Sequence, residues 1–182
     1  MMARVALLIG VLALLGGCLG GPAIGDVFDR ESPRTPIEPE ENVTGTFVID
    51  GAEDVTVTLE VADSREERSR GLMFRESLPT NHGMVFVYDE AAPRNFWMKN
   101  TPLPLDIIFV APNGTVLNVG HASPQPNASE DQLERYHSDG DAMYVVELER
   151  GFANRTGVGP GTELAFNGSR PTVEPALRRD VR

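Results

Sequence analysis

Val55-Thr56-Val57-Thr58-Leu59-Glu60-Val61 alternates apolar and polar residues without interruption. Successive side chains of a strand point to opposite faces, so this stretch reads as a strand with one face buried. Immediately after it, Asp63 or Ser64 is placed to cap a short helix over residues 65–70. Glu66 and Glu67 suit the positive end of that helix's dipole, and Gly71 ends it with φ above zero. Further along, residues 84–88, 95–98 and 105–110 are apolar and β-branched or aromatic, and read as strands. Pro112-Asn113-Gly114 is a hairpin turn leading into a strand over 115–119. A polar loop spans 123–141, a strand 143–148, a helical turn 151–156, and a last strand 163–166 follows the turn 157–161. Short strands with one or two small helices predict a mainly β (α+β) fold: a compact small β-barrel or a strongly curved antiparallel sheet.

The flanks read differently. Arg4 precedes the apolar run 5–15, which ends in Leu15-Gly16-Gly17-Cys18. A short apolar run after a positive charge, with small residues before a cysteine, predicts a signal peptide over 1–17 and lipidation of Cys18. Cys18 is the only cysteine, so no disulfide forms within the chain. Residues 18–44 carry Pro22, Pro33, Pro36 and Pro39 without apolar periodicity and predict a disordered tether. The globular domain is expected over 45–168, with a loose tail over 169–182. Five sequons, at Asn42, Asn113, Asn127, Asn154 and Asn167, are glycosylation candidates and agree with export. The expected address is the outer face of the cytoplasmic membrane, with the membrane itself a partner through the lipid.

Net charge is −11, and Lys99 is the only lysine. An acidic, lysine-poor chain stays hydrated in concentrated salt, where charges barely repel one another, so the composition reads as that of a halophile, of archaeal type. It also argues against nucleic acid as a partner.

Several blocks stand in ordered succession: Val61-Ala-Asp63, Glu66-Glu-Arg-Ser-Arg-Gly-Leu-Met73, Gly83-Met-Val-Phe86, Phe96-Trp-Met-Lys-Asn-Thr101, Pro104-Leu-Asp-Ile-Ile-Phe109, Tyr144-Val-Val-Glu-Leu148, Gly151-Phe-Ala153 and Gly157-Val-Gly-Pro-Gly161. Together they resemble the DUF192 family of small exported or membrane-associated domains, over residues 55–166. The resemblance implies a small, mainly β fold and no established activity. Relatives often carry a cysteine in the loop before the Tyr144 block. Residues 122–136 have none here, so no redox role comes with the resemblance.

The candidate ligand-binding residues are Arg70, Trp97, Met98, Asn100 and Asp106. In alternating geometry Trp97 and Met98 face opposite ways, so one of them leaves the core; an outward aromatic face suits a sugar or another flat apolar group. Asp106 interrupts an apolar strand. It is either held by Arg70, Arg75 or turn amides, or it is a functional carboxylate in a cleft. Arg70 before Gly71 pairs with Asp106 or meets an acidic ligand. His82, His121 and His137 show no metal-ligand spacing, and neither a metal nor another cofactor is expected. These features predict a surface-anchored binding or accessory module for a small molecule, a glycan or an envelope protein. The alternatives are an envelope-acting enzyme using Asp106 as acid or base, and a copper-binding protein using Met73, Met84, Met98, Met143 and Trp97. No second catalytic group can be named, so the reading leans away from an enzyme.

Overall fold

The computed structural model describes residues 41–173. The predicted signal peptide, Cys18, the predicted tether up to residue 40 and residues 174–182 lie outside the described residues. The elements are β1 (Asn42–Val48), β2 (Val55–Ala62), α1 (Arg65–Arg70), β3 (His82–Phe96), β4 (Leu105–Val110), β5 (Val116–Ala122), β6 (Tyr136–Glu149), α2 (Phe152–Thr156) and β7 (Glu163–Phe166). The strands form one sheet in the order β5-β4-β6-β3-β2-β1-β7.

The sheet curls until its two edges meet at one corner. Val116 donates its amide to Thr162 O (2.8 Å), and Leu164 donates to Gly114 O (2.8 Å). Gly114 has φ 98°, and a Cβ there would stand 2.7 Å from Leu164 O, so the corner requires glycine. The predicted mainly β, strongly curved architecture is therefore borne out as a half-barrel with two short helices. It departs from the antiparallel expectation at one pair: β2 and β3 run parallel, joined by a crossover through α1.

Both faces of the sheet are covered. The concave face holds Phe47, Leu59, Val85, Ile108, Val146 and Phe152. The convex face holds Met84, Phe86, Ile107, Phe109 and Val145 under Leu72, Met98 and Leu103. Every residue of β4 is buried, which is why its sequence is a continuous apolar run broken only by Asp106. One register row crosses the sheet through Asn42, Glu60, Met84, Glu147, Ile107 and Gly120.

Four local expectations need correction. β1 starts at Asn42, inside the stretch read as tether: its alternation is carried only by Val43 and Phe47 across Gly45, whose missing side chain admits Leu164 Cδ1 (2.9 Å from an ideal Cβ). Residues 95–98 are not a separate strand. β3 runs to Phe96 through two register irregularities, and Trp97 and Met98 leave the sheet for a turn with Asn100 at φ 51°. The polar loop ends early, because β6 starts at Tyr136 and pairs with the distal part of β3. Residues 170–173, placed in a loose tail, lie against the barrel: Arg170 donates to Pro112 O (2.7 Å), Pro171 is buried and Val173 packs on the concave core. Among the described residues no helix is long and apolar enough to cross a membrane.

Candidate functional site

Local sequence fixes α1. The Ser64 hydroxyl accepts the Glu67 amide (3.1 Å), and the Glu67 carboxylate accepts the Ser64 amide (3.0 Å), a reciprocal cap on the first turn. Partial burial pushes the Glu67 carboxyl up, but hydrogen bonds from Ser64 and Asp63 outweigh it and leave its pKa lowered. Gly71 ends the helix at φ 49°, and a Cβ there would stand 3.0 Å from the Phe86 ring. The chain therefore turns tightly over β3. Leu72 drops into the convex core, and Arg70 and Met73 are left at the rim of a small cleft.

That cleft, of about 110 Å³, lies between α1 and the segment leaving β3. Arg68, Arg70, Tyr88, Trp97, Lys99 and Thr101 are among its walls. Its floor includes Glu147, which shares the convex face with its register partners Met84 and Ile107. Glu147 is only 5% exposed, and no hydrogen-bond or ion-pair partner reaches it among the described residues. Desolvation makes the charged form costly and pushes its pKa up to about 8, so the carboxyl is largely protonated at neutral pH. Burial also raises the Tyr88 hydroxyl, against the opposing pull of Arg94 and Arg68. Both arginines lie over the Tyr88 ring, at 3.6 and 5.0 Å from its centroid.

Trp97 is half-buried, while Met98 is sealed in the core at 2% exposure, so it is the tryptophan that turns outward. Its ring is not bare. The Arg135 guanidinium stands 3.8 Å from the centroid and the Lys99 ammonium 5.2 Å. Lys99 also reaches Glu130 at 2.5 Å. Beyond Lys99 and Thr101, which it shares with the cleft, lies a wider groove of about 630 Å³, whose lining includes Phe74, Asn100, Pro102, Pro124 and Leu133. Phe74 is 65% exposed at φ 65°, held by its amide on Asn100 O (2.7 Å).

The five candidates thus part into three places. Arg70 and Trp97 line the cleft, and Met98 and Asn100 border the groove. Asp106 belongs to neither. It lies on the concave side of the sheet with no exposed surface, paired neither with Arg70 nor with Arg75. Its Oδ1 is 2.7 Å from His121 Nδ1 and 3.8 Å from Arg150 Nε, and its Oδ2 accepts the amides of Gly151 (3.0 Å) and Ala153 (2.9 Å). Gly151 begins α2 without a side-chain cap of its own, so Asp106 caps it from across the fold. The sequence reading missed Glu147. The signal was available, since Glu147 interrupts its apolar strand as Asp106 interrupts β4.

The methionines do not converge: Met84 and Met98 fill the convex core, Met143 packs on the concave one, and Met73 lines the cleft. Among the described residues no group of three His, Cys, Asp or Glu side chains is placed to hold a metal.

The DUF192 family model, described as an uncharacterized ACR, matches residues 47–166, from β1 to the end of β7. The chain belongs to the DUF192 family. Two solved structures resemble this DUF192 domain. A proposed transcription regulator from Sinorhizobium meliloti is 33% identical with a TM-score of 0.63, covering 69% of this chain and 94% of its own. A protein of unknown function from Novosphingobium aromaticivorans is 30% identical with a TM-score of 0.64, covering 72% of this chain and 89% of its own. No curated protein matches the chain.

Proposed function

We propose that this DUF192 protein is a lipid-anchored binding module on the outer face of the cytoplasmic membrane of a halophile, with its ligand seated over Glu147. Glu147 carries this reading. Among the described residues two acids are fully or nearly fully buried, and Asp106 has every oxygen engaged, whereas Glu147 has no partner and faces a cleft. Glu147 keeps only 5% of its surface and meets open space at the cleft, so a ligand seated there that hydrogen-bonds the carboxyl replaces scarce water and gains affinity at that point. The cleft is smaller than a drug-sized pocket, so it takes one end of a ligand; the adjoining groove has room for the body.

The address rests on the sole cysteine standing directly after Leu15-Gly16-Gly17, and on the exposure of all five sequon asparagines. The regulator description of the Sinorhizobium relative is not carried over: with 27 acidic and 16 basic residues, the composition does not suit nucleic-acid binding. An acid–base enzyme is the second reading, favoured by the raised Glu147 pKa, which suits a proton donor at neutral pH.

The test is a small-molecule screen on the full-length protein, comparing wild type with Glu147→Ala and Trp97→Ala. Hits lost in both variants, with melting curves still cooperative, support the seat. Hits indifferent to both substitutions place the ligand elsewhere. Turnover abolished by Glu147→Gln with binding retained favours the enzyme.

A further inference from the structure

We infer that the ligand presents an anionic oxygen group, a carboxylate or a phosphate, to Arg70 and Arg68 at the mouth of the cleft. The inference rests on the reading of the cleft as the ligand seat and goes beyond it by naming the chemistry.

The charge around the cleft runs against the rest of the molecule. The chain has 27 acidic and 16 basic residues, yet the cleft lining includes Arg68, Arg70 and Lys99 and a single acid, Glu147. That acid is desolvated and largely neutral at pH 7, so the cleft is net positive within an acidic protein.

The cations differ in how free they are. Lys99 is committed to Glu130. Among the described residues Arg68 donates to the carbonyls of Asp63 and Val87, neutral acceptors that fix its position. Arg70 has no hydrogen bond or ion pair among the described residues, and neither does Arg135, which stacks on Trp97 at the adjoining wall. Guanidinium groups match carboxylate and phosphate oxygens in a planar, two-point fashion.

Glu147 completes the chemistry. A protonated carboxyl donates an O–H to an anionic oxygen, and an ionised one would repel it. A neutral sugar hydroxyl would satisfy Glu147 equally well, but it would leave Arg70 without a partner.

Trp97 is the only tryptophan and lines the cleft, so its fluorescence reports occupancy. The full-length protein is titrated at pH 7 with glucuronate, glucose and inorganic phosphate. Each probe replaces chloride, or is added, at constant ionic strength. Glucuronate and glucose differ by one carboxylate, and phosphate separates the two anion types.

The expected result is a saturable change with glucuronate or phosphate and none with glucose. Affinity should fall about tenfold in Arg70→Gln and in Glu147→Ala, and recover in part in Arg70→Lys. A glucose response lost in Glu147→Ala, without an anion response, overturns the anionic class and leaves the seat standing. Anion binding unchanged in both variants overturns both, since the anion then sits elsewhere. No response to any probe overturns the inference.

Discussion

Asp106 Oδ1 stands 2.7 Å from His121 Nδ1 across the β4–β5 ladder, while Oδ2 holds the first amides of α2. The carboxylate is thus a three-way joint between β4, β5 and the turn after β6. Removing one partner of a buried charged network leaves the others unpaired, which costs about 3–5 kcal/mol. Asp106→Ala is expected to lose stability on that scale in denaturant unfolding. Asp106→Asn, which keeps one acceptor oxygen, should lose less. An Ala variant as stable as the wild type would show that the joint does not hold the fold.

Glu147 imposes a pH dependence of opposite origin. In the unfolded chain it ionises near 4.5, in the folded one near about 8. Between these values the folded state holds the extra proton. The contribution of this group is therefore most favourable below pH 4.5 and is lost as pH rises to about 8. Glu147→Gln cannot ionise. Its melting temperature relative to wild type should climb between about pH 5 and about pH 8, by an amount corresponding to a few kcal/mol at most. A difference that stays flat over that interval would mean that Glu147 is ionised in the folded protein.

Gly83 lies against β6 so closely that a Cβ would stand 2.1 Å from Glu147 O and 2.8 Å from Leu148 Cδ2. The first contact is backbone and cannot swing aside. Gly83→Ala should cost more than about 3 kcal/mol or prevent folding, as overpacking against rigid atoms does. Gly159→Ala, with nothing within 4 Å, should stay within about 0.5 kcal/mol. Thermal melts of the pair, side by side, decide it.

For the anchor, Cys18→Ser should shift the protein from the membrane fraction to the soluble fraction, or accumulate an uncleaved precursor. Fractionation followed by mass measurement of the N-terminus reads both. A processed product of the Cys18→Ser variant still in the membrane fraction would remove the lipid from the account.

Local signals carried the sequence reading furthest. The residues of α1 and β7 were placed as the structure has them, because the Ser64 cap, Gly71 and the 157–161 turn are written in consecutive residues. The parallel β2–β3 pairing was not legible, since nothing between residues 63 and 81 says on which side of β2 the chain returns. Glu147 carries a signal in sequence, but its role does not follow from that signal alone. Both Glu147 and Asp106 interrupt apolar strands, and contacts formed 15, 45 and 47 residues away from Asp106 separate the acid held by the fold from the one that meets the cleft. Alternation says that one of Trp97 and Met98 leaves the core but not which; the structure buries Met98 and turns Trp97 outward, and the cover of Trp97 by Arg135 depends on a distant loop that propensity does not place.

The register row from Asn42 through Glu60 and Met84 to Glu147 has a mechanical side. It crosses three ladders, an arc of about 14 Å at a strand spacing of about 4.8 Å. Tension on the chain ahead of Asn42 enters a strand gripped on both flanks, by β2 and by β7, and passes to the cleft floor along the hydrogen bonds of the sheet. No loop lies in that path. With a ligand over Glu147, as proposed, a pull entering at Asn42 would reach the ligand's seat across three hydrogen-bonded ladders before any turn has to yield.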